Sequence, residues 1–188
     1  QFRRLNPSEF AQIAGRAVWD ARVDATPFVL MPSVKDDAFI VAGGDGSVVA
    51  LAKDNGRELW RGSAGARLSA GVGSDGRYAA VVTRDNELVV LDKGSVKWRT
   101  RLGSLVATAP LVAGERVFVM GVDRAVQAYD VVDGRYLWDL RRAGEPLTLS
   151  QPGVVAAFKD TLLVGQGQRL AGIDPLKGSV RWEVAIAN

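Results

Sequence analysis

Five tryptophans, Trp19, Trp60, Trp98, Trp138 and Trp182, divide the chain at intervals of 41, 38, 40 and 44 residues. Each of the last four follows a glycine by four positions: Gly56, Gly94, Gly134 and Gly178. A Gly–Trp pair recurring about every 40 residues marks a repeated unit the size of one small sheet. Such a unit cannot bury both of its faces alone, so the chain must stack its units against one another.

Aligned on their tryptophans, the segments read VVALAKDNGRELW, ELVVLDKGSVKW, VQAYDVVDGRYLW and LAGIDPLKGSVRW. Each holds an apolar run, a polar turn closed by glycine, and a short run ending on tryptophan. Val, Leu and Ile in short runs suit a pleated, half-buried strand. Glycine suits a hairpin turn, where positive φ is cheap only without a Cβ. Two more apolar runs lie upstream, at 28–31 and 38–42 in the first unit and 109–112 and 116–120 in the third. Turn clusters separate the second and third runs: Gly43-Gly44-Asp45-Gly46, Arg84-Asp85-Asn86, Gly121-Val122-Asp123 and Gln166-Gly167-Gln168. The pattern predicts an all-β chain with four antiparallel strands per unit, A to D, and the tryptophan on D.

A four-stranded sheet repeated every ~40 residues is a β-propeller blade. The expected blades are 27–61, 67–100, 107–140 and 151–185, preceded by an outer strand at 15–20. Each tryptophan is expected to fill space against the next blade. The strand around Trp19 has no A, B or C strand before it. The expectation is therefore a partial propeller, half of an eight-bladed ring, that self-associates or pairs with further blades.

Composition narrows the function. The chain is 47% hydrophobic and 24% charged, with a net charge of +3 and both signs interspersed. No basic stripe interleaved with aromatics appears, which argues against nucleic acid. The longest apolar runs are strand-sized, far below the ~18–20 residues that cross a bilayer as a helix. There is no histidine and no cysteine, which removes Ser-His-Asp and Cys-His nucleophiles and the usual zinc sites. The acids sit mostly in turns, among them Asp37, Asp45, Asp54, Asp75, Asp85, Asp133 and Asp160, where carboxylates bond their own backbone. Asp92, Asp130 and Asp174 recur just ahead of the C–D turn and are expected in turn or interblade hydrogen bonds. No catalytic residue, metal site or cofactor is expected.

The aspartate followed by Gly-x-x-x-Trp resembles the tryptophan-docking repeat of quinoprotein-like propellers. One branch of these is enzymatic, with pyrroloquinoline quinone and calcium, an adjacent cysteine pair and a Glu/Asn/Asp set. The absence of cysteine disfavours that branch. A dehydrogenase fragment with its catalytic groups in other blades, or an unrelated propeller adaptor, are the alternatives. The chain is more similar to the non-catalytic BamB family, lipoprotein scaffolds of the outer-membrane β-barrel assembly machinery. The resemblance rests on Gly144-Glu145-Pro146-Leu147-Thr148-Leu149-Ser150, Ala156-Ala157-Phe158, Leu163-Val164-Gly165 and Gly178-Ser179-Val180-Arg181-Trp182. It implies a periplasmic, outer-membrane-associated scaffold with a lipid anchor upstream of Gln1. It also implies that Leu147 and Leu149 contact periplasmic domains of a BamA-like barrel-inserting subunit. Ser150 stands where that family carries an arginine.

The spacing singles out the same stretch. Trp138 to Pro152 spans 14 residues, against 8 from Trp19 to Pro27 and 12 from Trp98 to Pro110. Chain direction puts these D–A links on the same face as the B–C turns. Two leucines in a long link either tuck between blades or stand out as a contact patch; the resemblance favours contact for at least one. Arg141 and Arg142 flank the stretch, as a polar rim or as a solvated pair.

Overall fold

A computed structural model describes residues 19–22, 25, 32–35, 37–142 and 153–186. Among these residues there is no helix, and the apolar runs form sixteen strands in four antiparallel meanders. The first sheet is β1 (Ser33–Lys35), β2 (Ala38–Ala42), β3 (Ser47–Ala52) and β4 (Glu58–Ser63). The second is β5 (Leu68–Ser74), β6 (Tyr78–Thr83), β7 (Glu87–Asp92) and β8 (Ser95–Arg101). The third is β9 (Leu111–Ala113), β10 (Arg116–Met120), β11 (Ala125–Asp130) and β12 (Tyr136–Arg141). The fourth is β13 (Val154–Phe158), β14 (Thr161–Gln166), β15 (Arg169–Ile173) and β16 (Val180–Ala185). These are the blades of a β-propeller arc. In the first blade the described inner strand is Ser33–Lys35, held by its register with Ala38–Ile40. The run at 28–31, the stretch 15–18 of the expected outer strand, and residues 151 and 152 lie outside the described residues.

Three apolar cores lie in the seams between sheets. Ile40 and Val48 of the first sheet meet Leu68, Val81 and Leu91 of the second. Val82 and Leu88 meet Val117 and Val119 of the third. Phe118, Met120 and Val126 meet Leu162, Val164 and Ile173 of the fourth. Middle strands are thus apolar on both faces, because each blade has a neighbour on either side. Fully burying one Leu, Ile or Phe stabilises by about 1.5–3 kcal/mol, so the seams hold the arc together.

Every outer strand carries the same irregularity. Trp60, Trp98, Trp138 and Trp182 pair with Ala50, Val90, Ala128 and Gly172. In each case the register slips there, and Leu59, Lys97, Leu137 and Arg181 bulge out. A bulge bends the strand and raises its twist, while Ala50, Ala128 and Gly172 leave room for the indoles opposite them.

Three indoles then seat on the next C–D turn in one geometry. Nε1 of Trp19 donates to Lys53 O at 3.2 Å, that of Trp98 to Val131 O at 2.9 Å and that of Trp138 to Pro175 O at 2.9 Å. Each acceptor lies three residues before a repeat glycine. That glycine closes the turn, as in Gly134 N–H to Asp130 O at 3.0 Å, with φ of +75°. A Cβ on Gly134 would sit 2.6 Å from Trp98 Cδ2, and one on Gly56 2.6 Å from Trp19 Cδ2. Glycine is required there twice over, by backbone angle and by the ring above it.

Trp60 departs from this. The second blade has a two-residue turn, Lys93-Gly94, with φ of +46° and +89°, the type I′ geometry of tight hairpins. The turn is too short to offer the carbonyl, and Gly62 packs its backbone directly on Gly94. Trp182 is 42% exposed, because no further described sheet covers the outer face of the fourth blade. Its ring lies over Gly172 of its own sheet.

Candidate functional site

The turns between B and C strands and the links from D to A strands share one face of the arc, the link face. Main-chain bonds fasten the first and second links to turns. Ala64 N–H donates to Gly46 O at 2.8 Å and Leu68 N–H to Gly44 O at 3.2 Å, which closes the first link.

The second link is held by Asn86. Its main-chain O accepts from Leu102 N–H at 2.9 Å. Its Nδ2 donates to Leu102 O at 3.3 Å and Ser104 O at 2.7 Å, and its Oδ1 accepts from Val106 N–H at 3.0 Å. The amide side chain supplies both donors and acceptor, as its chemistry allows. Its φ of +59° falls where Asn is tolerated better than most residues. Sequence reasoning sees Asn86 only as a turn former. Its position, equivalent to Gly46 in the first blade, is the signal that marks it as the link anchor.

The third link, the long one, leaves from the end of β12. Leu147, Leu149 and Ser150 lie outside the described residues. Their flanks are described. Arg141 Nη1 lies 3.2 Å from Asp123 Oδ2 in the B–C turn of the third blade. Arg142 is not a solvated partner of Arg141: only 9% of its side chain is exposed, and its Nη2 lies 2.7 Å from Glu183 Oε1 on the fourth blade. Arg169 Nη1 lies 2.9 Å from the same oxygen. Gln166, buried at the end of β14, donates from Nε2 to Arg124 O at 3.0 Å. The root of the long link is thus bolted across the seam between the third and fourth blades. Hydrogen bonds from Arg169, together with the charge of Arg142, hold the Glu183 carboxyl below its ordinary range.

The face opposite carries the C–D turns. Asp130 Oδ1 accepts from Val132 N–H and Asp174 Oδ1 from Leu176 N–H, both at 2.8 Å. Asp92 pairs with Arg77 at 2.9 Å, and hydrogen bonding to that guanidinium lowers its pKa. Asp130 and Asp174 are turn formers, and Asp92 ties the end of β7 to the A–B turn of its own blade. Among the described residues no three acids converge as a metal-holding set, and no helix is long and apolar enough to cross a membrane. What the link face offers chemically, among the described residues, is two links hydrogen-bonded to their turns and the ion-paired root of a third.

The comparisons with known proteins agree with this architecture. The family model "Outer membrane protein assembly factor BamB" matches residues 44–188. An outer membrane protein assembly factor BamB from Bordetella pertussis is 35% identical over 191 positions, covering 98% of this chain and 50% of that protein. The Burkholderia pseudomallei counterpart is 31% identical, covering 90% of this chain and 46% of its own length. The chain thus spans about half the length of these relatives. Among solved structures, BamB from Moraxella catarrhalis aligns with a TM-score of 0.70 at 22% identity, over 90% of this chain and 51% of that one. A quinohemoprotein alcohol dehydrogenase from Pseudomonas putida aligns at 0.61 with 16% identity, over 82% of this chain and 33% of that one, a likeness of fold alone. With sixteen strands in four bladed sheets and a family match across most of its length, the chain belongs to the BamB family.

Proposed function

We propose that this chain is part of a non-catalytic scaffold for outer-membrane β-barrel assembly, acting in the periplasm at the outer membrane. Its link face docks periplasmic domains of a BamA-like barrel-inserting subunit. The observation that carries the reading is the family match over residues 44–188; the firmly anchored link face supports it. A propeller suits the task because loops on one face vary without disturbing the blades. Leu147 and Leu149 supply apolar burial in the long link, and Ser150 beside them a hydroxyl in place of an arginine. The open outer face of the fourth blade, with Trp182 and Val184 42% and 50% exposed, seats a further blade of the same ring.

The test is a titration of the purified protein with the partner's periplasmic domains. Leu147→Asp with Leu149→Asp is expected to weaken binding by at least a hundredfold, in line with loss of about 3 kcal/mol of buried contact, with the far-ultraviolet spectrum unchanged. Unaltered affinity in the double variant refutes the site.

A further inference from the structure

The lysines of this protein keep to one face, which they share with Arg57, Arg77, Arg116, Arg135 and Arg181. All six lysines lie on the side of the A–B and C–D turns. Lys35 ends β1, Lys53, Lys93 and Lys177 are in C–D turns, Lys159 is in an A–B turn, and Lys97 is in the first half of β8. On the link face the described cations are arginines. Three of them crown the second blade. Arg67 immediately precedes β5 and Arg84 follows β6; Arg84 N–H donates to Arg67 O at 2.8 Å, so the two residues are neighbours. Arg101 ends β8 opposite Glu87. All three are exposed, and none makes an ion pair or side-chain hydrogen bond among the described residues. The nearby carboxylates do not neutralise them. Glu87 is engaged by Arg99 at 3.6 Å, and exposed Asp85 makes no ion pair with any of the three.

We infer that Arg67, Arg84 and Arg101 form a recognition surface for the carboxylates of an acidic protein segment. Three exposed guanidinium groups with no counter-ion among the described residues leave this end of the blade positively charged, and an anionic partner complements it. A guanidinium presents a planar fork that matches a carboxylate in two parallel hydrogen bonds, which an ammonium cannot do. The restriction of the described link-face cations to arginine fits such geometry. A bilayer's diffuse negative potential is met by either cation, and it would repel Asp85, Glu87 and Asp123, which share this face. A protein segment can place its own charges between them. The surface lies on the second blade, apart from the long link, and stands independently of the docking role given to Leu147 and Leu149.

The experiment uses a labelled, alternating Asp-Ser peptide and, separately, vesicles containing phosphatidylglycerol. Replacing all three arginines by Gln is expected to weaken peptide binding about tenfold or more. Replacing all three by Lys is expected to weaken it several-fold despite the retained charge. Replacing Lys53, Lys93 and Lys177 by Gln is expected to change it less than about twofold. Circular dichroism reports that each variant is folded. Absence of peptide binding, equal loss from the lysine set, or full activity of the Lys variant overturns the inference. So does arginine-dependent capture by vesicles with no arginine-dependent binding of peptide.

Discussion

Gly134 and Gly114 provide a matched pair for weighing the indole seat. Both have positive φ, +75° and +56°. A Cβ on Gly114 meets nothing within 4 Å, whereas one on Gly134 comes within 2.6, 2.8 and 3.0 Å of Trp98 Cδ2, Cε3 and Cγ. Gly114→Ala therefore carries only the left-handed backbone cost, about 1–2 kcal/mol. Gly134→Ala carries the same cost and also displaces the ring. Displacement breaks the 2.9 Å bond to Val131 O, about 1 kcal/mol. It also disturbs contacts with Tyr129, whose ring centroid is 6.2 Å away, for about another 1 kcal/mol. The expected total is about 3–4 kcal/mol. Urea unfolding followed by far-ultraviolet circular dichroism measures both. In a Trp98→Ala background the cost of Gly134→Ala should fall to that of Gly114→Ala, since nothing remains to be displaced. Equal costs at the two glycines in the native background would refute the reasoning.

Asn86→Gly keeps the positive φ accessible and removes three side-chain hydrogen bonds from the second link. It should destabilise the protein by about 2 kcal/mol and speed amide exchange at Val106 while leaving the β6 amides protected. For Glu183, the folded pKa lies below its ordinary 4.5, first through Arg169 and then Arg142. Its contribution is therefore present above 4.5 and is lost as pH falls through the lower folded value. A carboxyl titration by NMR should place its midpoint below 4.5, and Glu183→Gln should flatten the acid limb of stability; a midpoint at or above 4.5 contradicts the double arginine pairing.

Much of the fold is legible in the sequence because a few residues do unusual work. The recurring Gly-x-x-x-Trp encodes a turn and the ring that sits on the following turn. Even the short interval of 38 between Trp60 and Trp98 has a structural meaning: the C–D turn of the second blade is two residues shorter, and Trp60 loses its carbonyl. The bulges at Leu59, Lys97, Leu137 and Arg181 are not legible, since the position takes an apolar residue in two blades and a basic one in the other two. Nor is the bridge from Arg142 to Glu183. The two residues are 41 positions apart, and only the stacking of blades brings them together. Asn86 is a turn residue by type and an anchor by position, and its equivalence to Gly46 in the first blade is what tells the two apart.

Indole N–H exchange measured by two-dimensional NMR tests the bladed arc most directly. Slow exchange is expected for Trp98 and Trp138, whose N–H groups are bonded to the next blade, and fast exchange for Trp182, which is exposed on the open face. Comparable fast exchange for Trp98, Trp138 and Trp182 would mean that the rings do not join neighbouring sheets, and the arc of blades would fall with them.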